Sequence, residues 1–190
     1  MFKDDKDVGI IVKTNMGRNT KIDRMMTRNI IEGIIRESRK GNYPRIHLMH
    51  GDMNDAEIAA LYKHSQVKAL VSLTRGEGYG LPTLEAAASG LPVIATDWSG
   101  HLDFLKHVKF INVNYQLQEI HKSRVDDKLF MKGAKWANVN EEDFVKKIMK
   151  FRTSSMMPKQ WALDAVPKLH ELYNFKSIAR QYDTLLKDIL

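Results

Sequence analysis

The chain has 190 residues, which suits one large domain or one domain with a helical appendage. Hydrophobic residues make up 43% and charged residues 28%, values that exclude the disordered and membrane-spanning classes. The net charge of +7 comes from Lys and Arg residues spread over the whole length. Because nucleic-acid interfaces need basic clusters and aromatic platforms, we expect no nucleic-acid partner.

The sequence offers no transmembrane segment, since no apolar run approaches the roughly 18–20 residues that span a bilayer. Its first residues, MFKDDKD, are charged where a signal peptide is apolar. There are no cysteines, which excludes disulfides and thiolate-held metals and favours a reducing compartment. We therefore expect a cytoplasmic protein.

Short β-branched runs alternate with helical stretches along the chain. The predicted strands are residues 8–14, 45–50, 67–74, 91–97 and 108–115. They are apolar throughout rather than at every second position, which is typical of a parallel sheet covered on both faces. We predict the α/β class, with a Rossmann-like, doubly wound parallel sheet of about five or six strands.

Three helices are predicted between these strands. The first spans about residues 21–40, with an apolar side chain at helical spacing in six places: Ile22, Met25, Met26, Ile30, Ile34 and Ile35. The second begins at Asn54, with Glu57 completing a capping box. The third runs from Pro82 to Ser89 and is closed by Gly90.

Beyond Tyr115 the pattern loosens, and residues 116–139 are predicted to be irregular. Asn140 then caps an acidic-first helix, and two more helices are expected near 158–173 and 175–189. We predict a Rossmann-like domain over residues 1–153. Residues 154–190 would form C-terminal helices that pack on it or on another domain.

The stretch from Val71 to Ala95 places a buried strand, a glycine-rich turn, a proline-started helix and another strand in succession. Ligands of open α/β sheets gather at the carboxyl ends of strands, where a helix start directs unpaired N–H groups at them. Gly76, Gly78 and Gly80 let the main chain come close to a ligand. The pattern predicts a phosphate cradle.

Glu77 and Glu85 are the two carboxylates of this stretch. Glu85, placed in the first turn of the helix, suits a vicinal diol such as a ribose, although the helix dipole also favours an acidic residue there. Glu77 stands between two glycines, where packing gives no reason for a charge. A P-loop and a dinucleotide fingerprint do not match, whereas a glycosidase with two carboxylates stays open but needs no phosphate cradle.

The segment EGYGLPTLE, followed by an alanine-rich helix and SGLPVIATD, closely resembles the E-x7-E signature of family 4 retaining glycosyltransferases. The similarity runs from the first strand to about Trp136, and WANVNEEDFVKKI resembles the late helix of the same domain. The resemblance implies a GT-B fold, of which this chain is the carboxyl-terminal, donor-binding domain. It further implies transfer of a hexose from a nucleoside diphosphate sugar, with retention, and with no metal or other cofactor.

The resemblance also implies residue roles. Glu77 is the catalytic residue near the anomeric centre, and Glu85 holds the ribose. The main-chain amides that bind the sugar hydroxyls and the diphosphate are those of Gly78, Tyr79, Gly80 and Leu81. The turn from Gly51 to Met53 reads the base through its main chain. Lys13 and Arg18 follow the first strand and are assigned to the donor, with a solvated strand end as the equal alternative for Lys13.

Three departures from the family pattern accompany these roles. The family's first β–α unit, with its diphosphate-binding Arg and Lys, should precede residue 8, but residues 1–7 do not supply it. The amino-terminal acceptor-binding domain is missing as well and is expected as a partner. A fragment or a reduced relative, inactive alone, is therefore predicted. Ser99, Gly100 and His101 stand where many relatives carry paired glycines and a glutamate, so they are expected to line the site differently, with His101 more often structural.

Two other functions stay open at this point. One is a non-catalytic module that binds a nucleotide-sugar or serves only as an interaction domain. The other is a sugar-nucleotide epimerase of GT-B type, although the E-x7-E spacing favours transfer.

Overall fold

The computed structural model describes residues 1–38 and 41–187. The chain forms two compact units, Met1–Asp55 and Ala56–Leu190. In the first unit, strand β1 (Gly9–Lys13) pairs in parallel with strand β2 (Arg45–Met49), and helix α1 (Lys21–Ser38) connects them. The two strands and the helix are confirmed, and the predicted helix end at Lys40 lies outside the described residues.

Helix α1 differs from prediction in the face that it buries. Five of the six apolar positions, Ile34 among them, are exposed, whereas Asp23 and Thr27 are buried. The reason is a polar contact, because Asp23 bonds to His50 and thereby turns its side of the helix inward. The hydrophobic pattern therefore predicted the helix but not its buried side.

The second unit begins within helix α2 (Asp55–Lys63), directly after the predicted cap at Asn54. Its central sheet has the order β3–β4–β5 and is parallel throughout. The strands are β3 (Leu70–Ser72), β4 (Val93–Thr96) and β5 (Ile111–Val113). Helix α3 (Leu81–Ala88) connects β3 to β4, and helix α4 (Leu102–Leu105) connects β4 to β5. The predicted α/β class with parallel sheets is confirmed.

Strand β4 is buried on both faces, as its apolar sequence predicts. Val93 and Ala95 pack in a cluster with side chains of α3. Ile94, between them in sequence, packs in a second cluster with Phe151. Since neighbouring residues of a strand face opposite sides, helices cover both faces of this sheet.

The prediction for residues 116–139 is wrong. Strand β6 (Tyr115–Glu119) pairs antiparallel with strand β7 (Lys135–Val139), and a short 3-10 helix (Lys122–Arg124) lies between them. Strand β6 is mostly polar and exposed, and β7 buries only Ala137, so neither shows the continuous apolar run that marks a buried strand. Main-chain bonding decides their structure instead, including a bond from the Ala137 amide to the Arg75 carbonyl at 3.0 Å.

Three helices close the chain. Helix α5 (Glu141–Thr153) is capped as predicted by Asn140, whose side-chain oxygen accepts from the Asp143 amide at 2.9 Å. Helix α6 (Met156–Leu172) packs on α3 through Ala165 and Leu169. Helix α7 (Phe175–Leu186) has no buried residue, and the last predicted helical residues lie beyond the described part of the chain. Among the described helices, none is long and apolar enough to cross a membrane.

Candidate functional site

The glycine-rich segment lies where β3 ends and α3 begins. Helix α3 starts at Leu81, and Gly80 is its N-cap with φ 85° and ψ 49°. This left-handed conformation favours glycine. A Cβ atom at residue 80 would also lie 2.9 Å from the Cβ atom of His101. Both the conformation and the space at this position therefore require glycine.

The main-chain amides of this segment are available to a ligand. Within the described part of the chain, no acceptor is found for the N–H groups of Gly78, Tyr79, Gly80 and Leu81. The Gly80 carbonyl, by contrast, accepts from the amides of Thr83 and Leu84 and so anchors the first turn of α3. Four successive unpaired donors at a helix start suit an anion.

The main chain of Glu77 is held by the turn that follows β4. The Oγ atom of Ser99 lies 2.7 Å from the Glu77 nitrogen and 2.7 Å from its carbonyl oxygen. The Gly100 amide donates to that same carbonyl at 3.1 Å. The Glu77 residue is half-buried, and no hydrogen bond to its carboxylate is seen among the described residues. The carboxylate is therefore free to contact a ligand.

Gly100 lies in close contact with this segment. A Cβ atom at residue 100 would be 2.8 Å from the Glu77 carbonyl oxygen and 2.7 Å from the Gly78 carbonyl carbon. No side chain fits such a space. Sequence reasoning singled out residues 99 to 101 as a departure from the family pattern but did not predict that Ser99 and Gly100 hold Glu77.

His101 is fully buried, which agrees with its interpretation as a structural histidine. Its Nε2 atom lies 2.7 Å from the Thr96 carbonyl oxygen. Because a carbonyl only accepts, Nε2 carries the hydrogen, and Nδ1 has no partner in the part of the chain that the structure describes. The Cβ atom of His101 packs against Gly80 while its ring bonds to Thr96, so this residue links the end of β4 to the start of α3.

Glu85 does not lie in the first turn of α3, so its predicted placement there is wrong. The helix begins at Leu81, so Glu85 is its fifth residue, and the first turn holds no acidic residue. The prediction placed the helix start at Pro82, but Gly80 ends the loop one residue earlier. The helix dipole acts mainly within the first turn. Ligand binding therefore explains an exposed carboxylate at the fifth residue better than the dipole does.

Tyr62 of α2 faces Glu85, with the phenol oxygen 3.5 Å from the Oε2 atom of Glu85. Burial of the phenol, followed by the negative charge of Glu85 and the bond to it, raises the pKa of Tyr62 to about 12. The phenol therefore stays protonated at neutral pH and donates toward the carboxylate. This contact orients one oxygen of Glu85 and leaves the other for a ligand.

The Tyr79 ring belongs to an aromatic group rather than to the open loop surface. It meets Phe104 edge to face at 5.4 Å between ring centroids, and Phe104 meets Tyr173, the residue that follows α6, in the same manner at 6.3 Å. Burial, and then the charge of Asp103, raises the pKa of the Tyr79 phenol. The Tyr79 side chain thus anchors the loop and leaves its main-chain amide to the ligand.

The four predicted donor residues of the first unit lie at the carboxyl ends of β1 and β2. The Nζ atom of Lys13 donates to the Gly51 carbonyl, so these two are brought together. Gly51 has φ 103°, and a Cβ atom there would lie 2.6 Å from the Asn19 Oδ1 atom. Met53 is half-buried, and Arg18 is exposed in the loop before α1. Glu77 and Glu85 belong to the other compact unit.

A buried contact between the side chains of Asp23 and His50 was not predicted. The Nε2 atom of His50 lies 2.6 Å from Oδ2 of Asp23, and both side chains are buried. Burial raises the pKa of Asp23, but bonds from His50 and from the amides of Met16 and Arg18, with the charge of His50, hold that pKa below its ordinary value. The pair joins the start of α1 to the end of β2.

No group of three His, Cys, Asp or Glu side chains within residues 1–38 and 41–187 is placed to hold a metal ion. An open depression on α7 is lined by Arg180, Gln181, Thr184 and Leu185, and it contains none of the predicted donor residues.

Solved structures show the class of this fold. The chain is similar to sucrose-phosphate synthase from Thermosynechococcus elongatus, with a TM-score of 0.60 and 18% identity over 94% of this chain and 38% of that one. It is also similar to the GtfA/B complex, with a TM-score of 0.54 and 16% identity over 97% of this chain and 36% of the other. The fold is that of a GT-B glycosyltransferase domain.

The family follows from the sequence itself. The family model for glycosyl transferases group 1 matches residues 33–165, which is more than half of the chain. The chain therefore belongs to the group 1 glycosyl transferase family. Among curated proteins, no relative matches this sequence. The chain spans well under half the length of the two structural relatives.

Proposed function

We propose that this chain is the donor-binding half of a retaining glycosyltransferase of family 4. It binds a nucleoside diphosphate sugar, and its hexose is transferred to an acceptor held by an amino-terminal domain outside these 190 residues. The single observation that carries the proposal is the run of four unpaired amides, from Gly78 to Leu81, beside Glu77 in a chain of this family.

The amides suit the diphosphate and the sugar hydroxyls. Donors fixed in advance at the place where negative charge develops stabilise a transition state without reorganisation. In this proposal the amides of the loop and the N-terminus of α3 accept the charge that forms on the departing diphosphate. No metal or other cofactor takes part.

The two glutamates divide the recognition of the donor. Glu77 contacts the sugar near the anomeric centre, since its carboxylate is free while its main chain is held by Ser99. Glu85 accepts from the ribose hydroxyls, with Tyr62 orienting one of its oxygens. Two neighbouring hydroxyl groups match the two oxygens of one carboxylate.

The first unit carries proposed donor contacts of its own. The amide groups of the turn from Gly51 to Met53 read the base, and Arg18 contacts the diphosphate. Lys13 holds the Gly51 carbonyl, and so shapes the turn in addition to supplying a positive charge. The Gly51 conformation, with φ 103°, makes that turn tight.

Titration calorimetry of the full chain with UDP, GDP, UDP-glucose and GDP-mannose tests donor binding. We expect saturable binding of one nucleoside diphosphate and of its sugar, and loss of the sugar-dependent part of the affinity in Glu77→Gln. The proposal is wrong if none of the four ligands binds. Glu119→Gln, an exposed carboxylate on β6, serves as the control.

A product assay separates the enzyme from the alternatives. When an acceptor-binding domain is supplied, a transferase releases the nucleoside diphosphate and forms a glycoside with the donor's anomeric configuration. A binding module gives neither product. An epimerase converts the donor sugar without an acceptor.

A further inference from the structure

We propose that Ser99 is a positioning residue that sets the place of the Glu77 carboxylate. The inference rests on the proposed function, in which Glu77 contacts the donor sugar. The position of the carboxylate that contacts the donor sugar is then set by a serine hydroxyl on a different loop, the turn after β4.

The Ser99 hydroxyl uses both of its hydrogen-bonding capacities on one residue. Its oxygen accepts from the Glu77 amide at 2.7 Å, and its hydrogen is donated to the Glu77 carbonyl at 2.7 Å. A hydroxyl has one donor and two acceptor lone pairs, so it suits this pair of contacts. The Gly100 amide adds a third bond, to the same carbonyl. Only the side-chain torsions of Glu77 then stay free.

Glu77 needs such an external restraint because its neighbours supply none. It stands between Gly76 and Gly78, and neither glycine has a Cβ atom to limit its conformation. A Cβ atom at Gly78 would meet nothing within 4 Å, so packing does not hold the loop on that side. Without Ser99, only the bond from Gly100 and the contact of Gly100 with Gly78 hold the main chain that carries this carboxylate.

The conformation of Ser99 itself supports a functional reason for the serine. Its φ of 93° lies where a side chain is strained and glycine is not. Strained residues of this kind persist when surrounding contacts hold them, and they cluster at functional sites. A glycine would relieve the strain but would lose both hydroxyl bonds to Glu77.

Two substitutions separate the effect of the hydroxyl bonds to Glu77 from the effect of the backbone strain at Ser99. Ser99→Gly removes the hydroxyl and the strain together, whereas Ser99→Ala removes the hydroxyl alone. Ser65→Ala, at an exposed turn, is the matched control. The measurements are hydrogen exchange at the Glu77 amide, the melting temperature and two calorimetric affinities. One affinity is for the nucleotide-sugar, UDP-glucose or GDP-mannose, and the other is for the matching nucleoside diphosphate, UDP or GDP.

We expect exchange at the Glu77 amide to rise about tenfold in both Ser99 variants, because each loses a hydrogen bond. The affinity for the nucleotide-sugar should fall about three- to tenfold in both, with the affinity for the nucleoside diphosphate alone changing less than about twofold. Ser99→Gly should melt at a higher temperature than Ser99→Ala, since only alanine keeps the strain.

The outcomes are distinguishable. If the unsubstituted chain binds no donor, the proposed function fails. Unchanged hydrogen exchange at the Glu77 amide in Ser99→Gly overturns the proposal that the Ser99 hydroxyl holds this residue. A fall in both affinities that tracks the melting temperature across the two variants also overturns the proposal, because it shows a general structural role in place of positioning.

Discussion

The main chain of Gly100 lies so close to Gly78 that a Cβ atom at residue 100 would be 2.7 Å from the Gly78 carbonyl carbon. The turn after β4 and the loop after β3 therefore touch through bare main chain. Since Gly100 also donates to the Glu77 carbonyl, any displacement of this turn moves the proposed catalytic residue.

Gly100→Ala should force these two loops apart. We expect the free energy of unfolding to fall by about 1–3 kcal/mol, the usual cost of overpacking, together with a loss of nucleotide-sugar affinity. Denaturant unfolding and calorimetry measure the two effects. Gly33→Ala in helix α1 is the control, because a Cβ atom there meets nothing and alanine should stabilise by about 0.5–1 kcal/mol. Equal stability of the two variants would contradict the close contact.

Glu85→Gln should weaken nucleotide binding without unfolding the chain. The side chain is exposed, so we expect the free energy of unfolding to change by less than about 0.5 kcal/mol. The affinity for the nucleoside diphosphate should fall about tenfold or more, because a hydrogen bond to a charged group is lost. Glu171→Gln, an exposed helical carboxylate on α6, controls for the change of charge. An unchanged affinity would show that Glu85 does not hold the ribose.

Lys13→Met should affect both stability and binding. The Gly51 carbonyl loses its donor, which should lower the free energy of unfolding by about 1–3 kcal/mol. The affinity for the nucleoside diphosphate should fall as well, since the charge beside the predicted base turn is removed. Lys21→Met, exposed at the start of α1, controls for net charge. A loss of stability with unchanged affinity would leave Lys13 a purely structural role.

The Asp23–His50 pair should make stability depend on acid pH. The pKa of Asp23 is lowered in the folded state, so the pair stabilises the fold above the unfolded value of about 3.9. That stabilisation is lost as pH falls below about 4 and through the folded pKa. In Asp23→Asn this acid-range loss should be smaller. The free energy of unfolding in urea, measured for both proteins between about pH 2.5 and 6 in steps of about half a pH unit, tests this dependence. Parallel curves for the two proteins would contradict it.

The amino-acid sequence by itself determined the class of the fold. Five apolar β-branched runs predicted five strands that the structure contains. Burial on both faces of a parallel sheet leaves such a hydrophobic record in β4, whereas β1 keeps Gly9, Ile10 and Ile11 exposed. Asn140 marked a helix start for a local reason, its side-chain cap, whereas the predicted start of α3 at Pro82 missed the left-handed N-cap at Gly80. Strands β6 and β7 left no such record, since β6 is mostly polar, β7 buries only Ala137, and main-chain bonds pair them.

The glycine-rich segment EGYGLPTLE was also evident from sequence, and it lies within the residues that the family model matches. What only the tertiary structure decided is which residues hold that segment in place. Ser99 and Gly100 are more than twenty positions from Glu77 in sequence, and no periodicity connects them. Their contact arises because β3 and β4 are parallel neighbours whose carboxyl ends meet at one edge of the sheet. Local sequence specifies local conformation, but contacts between loops depend on how the strands pair.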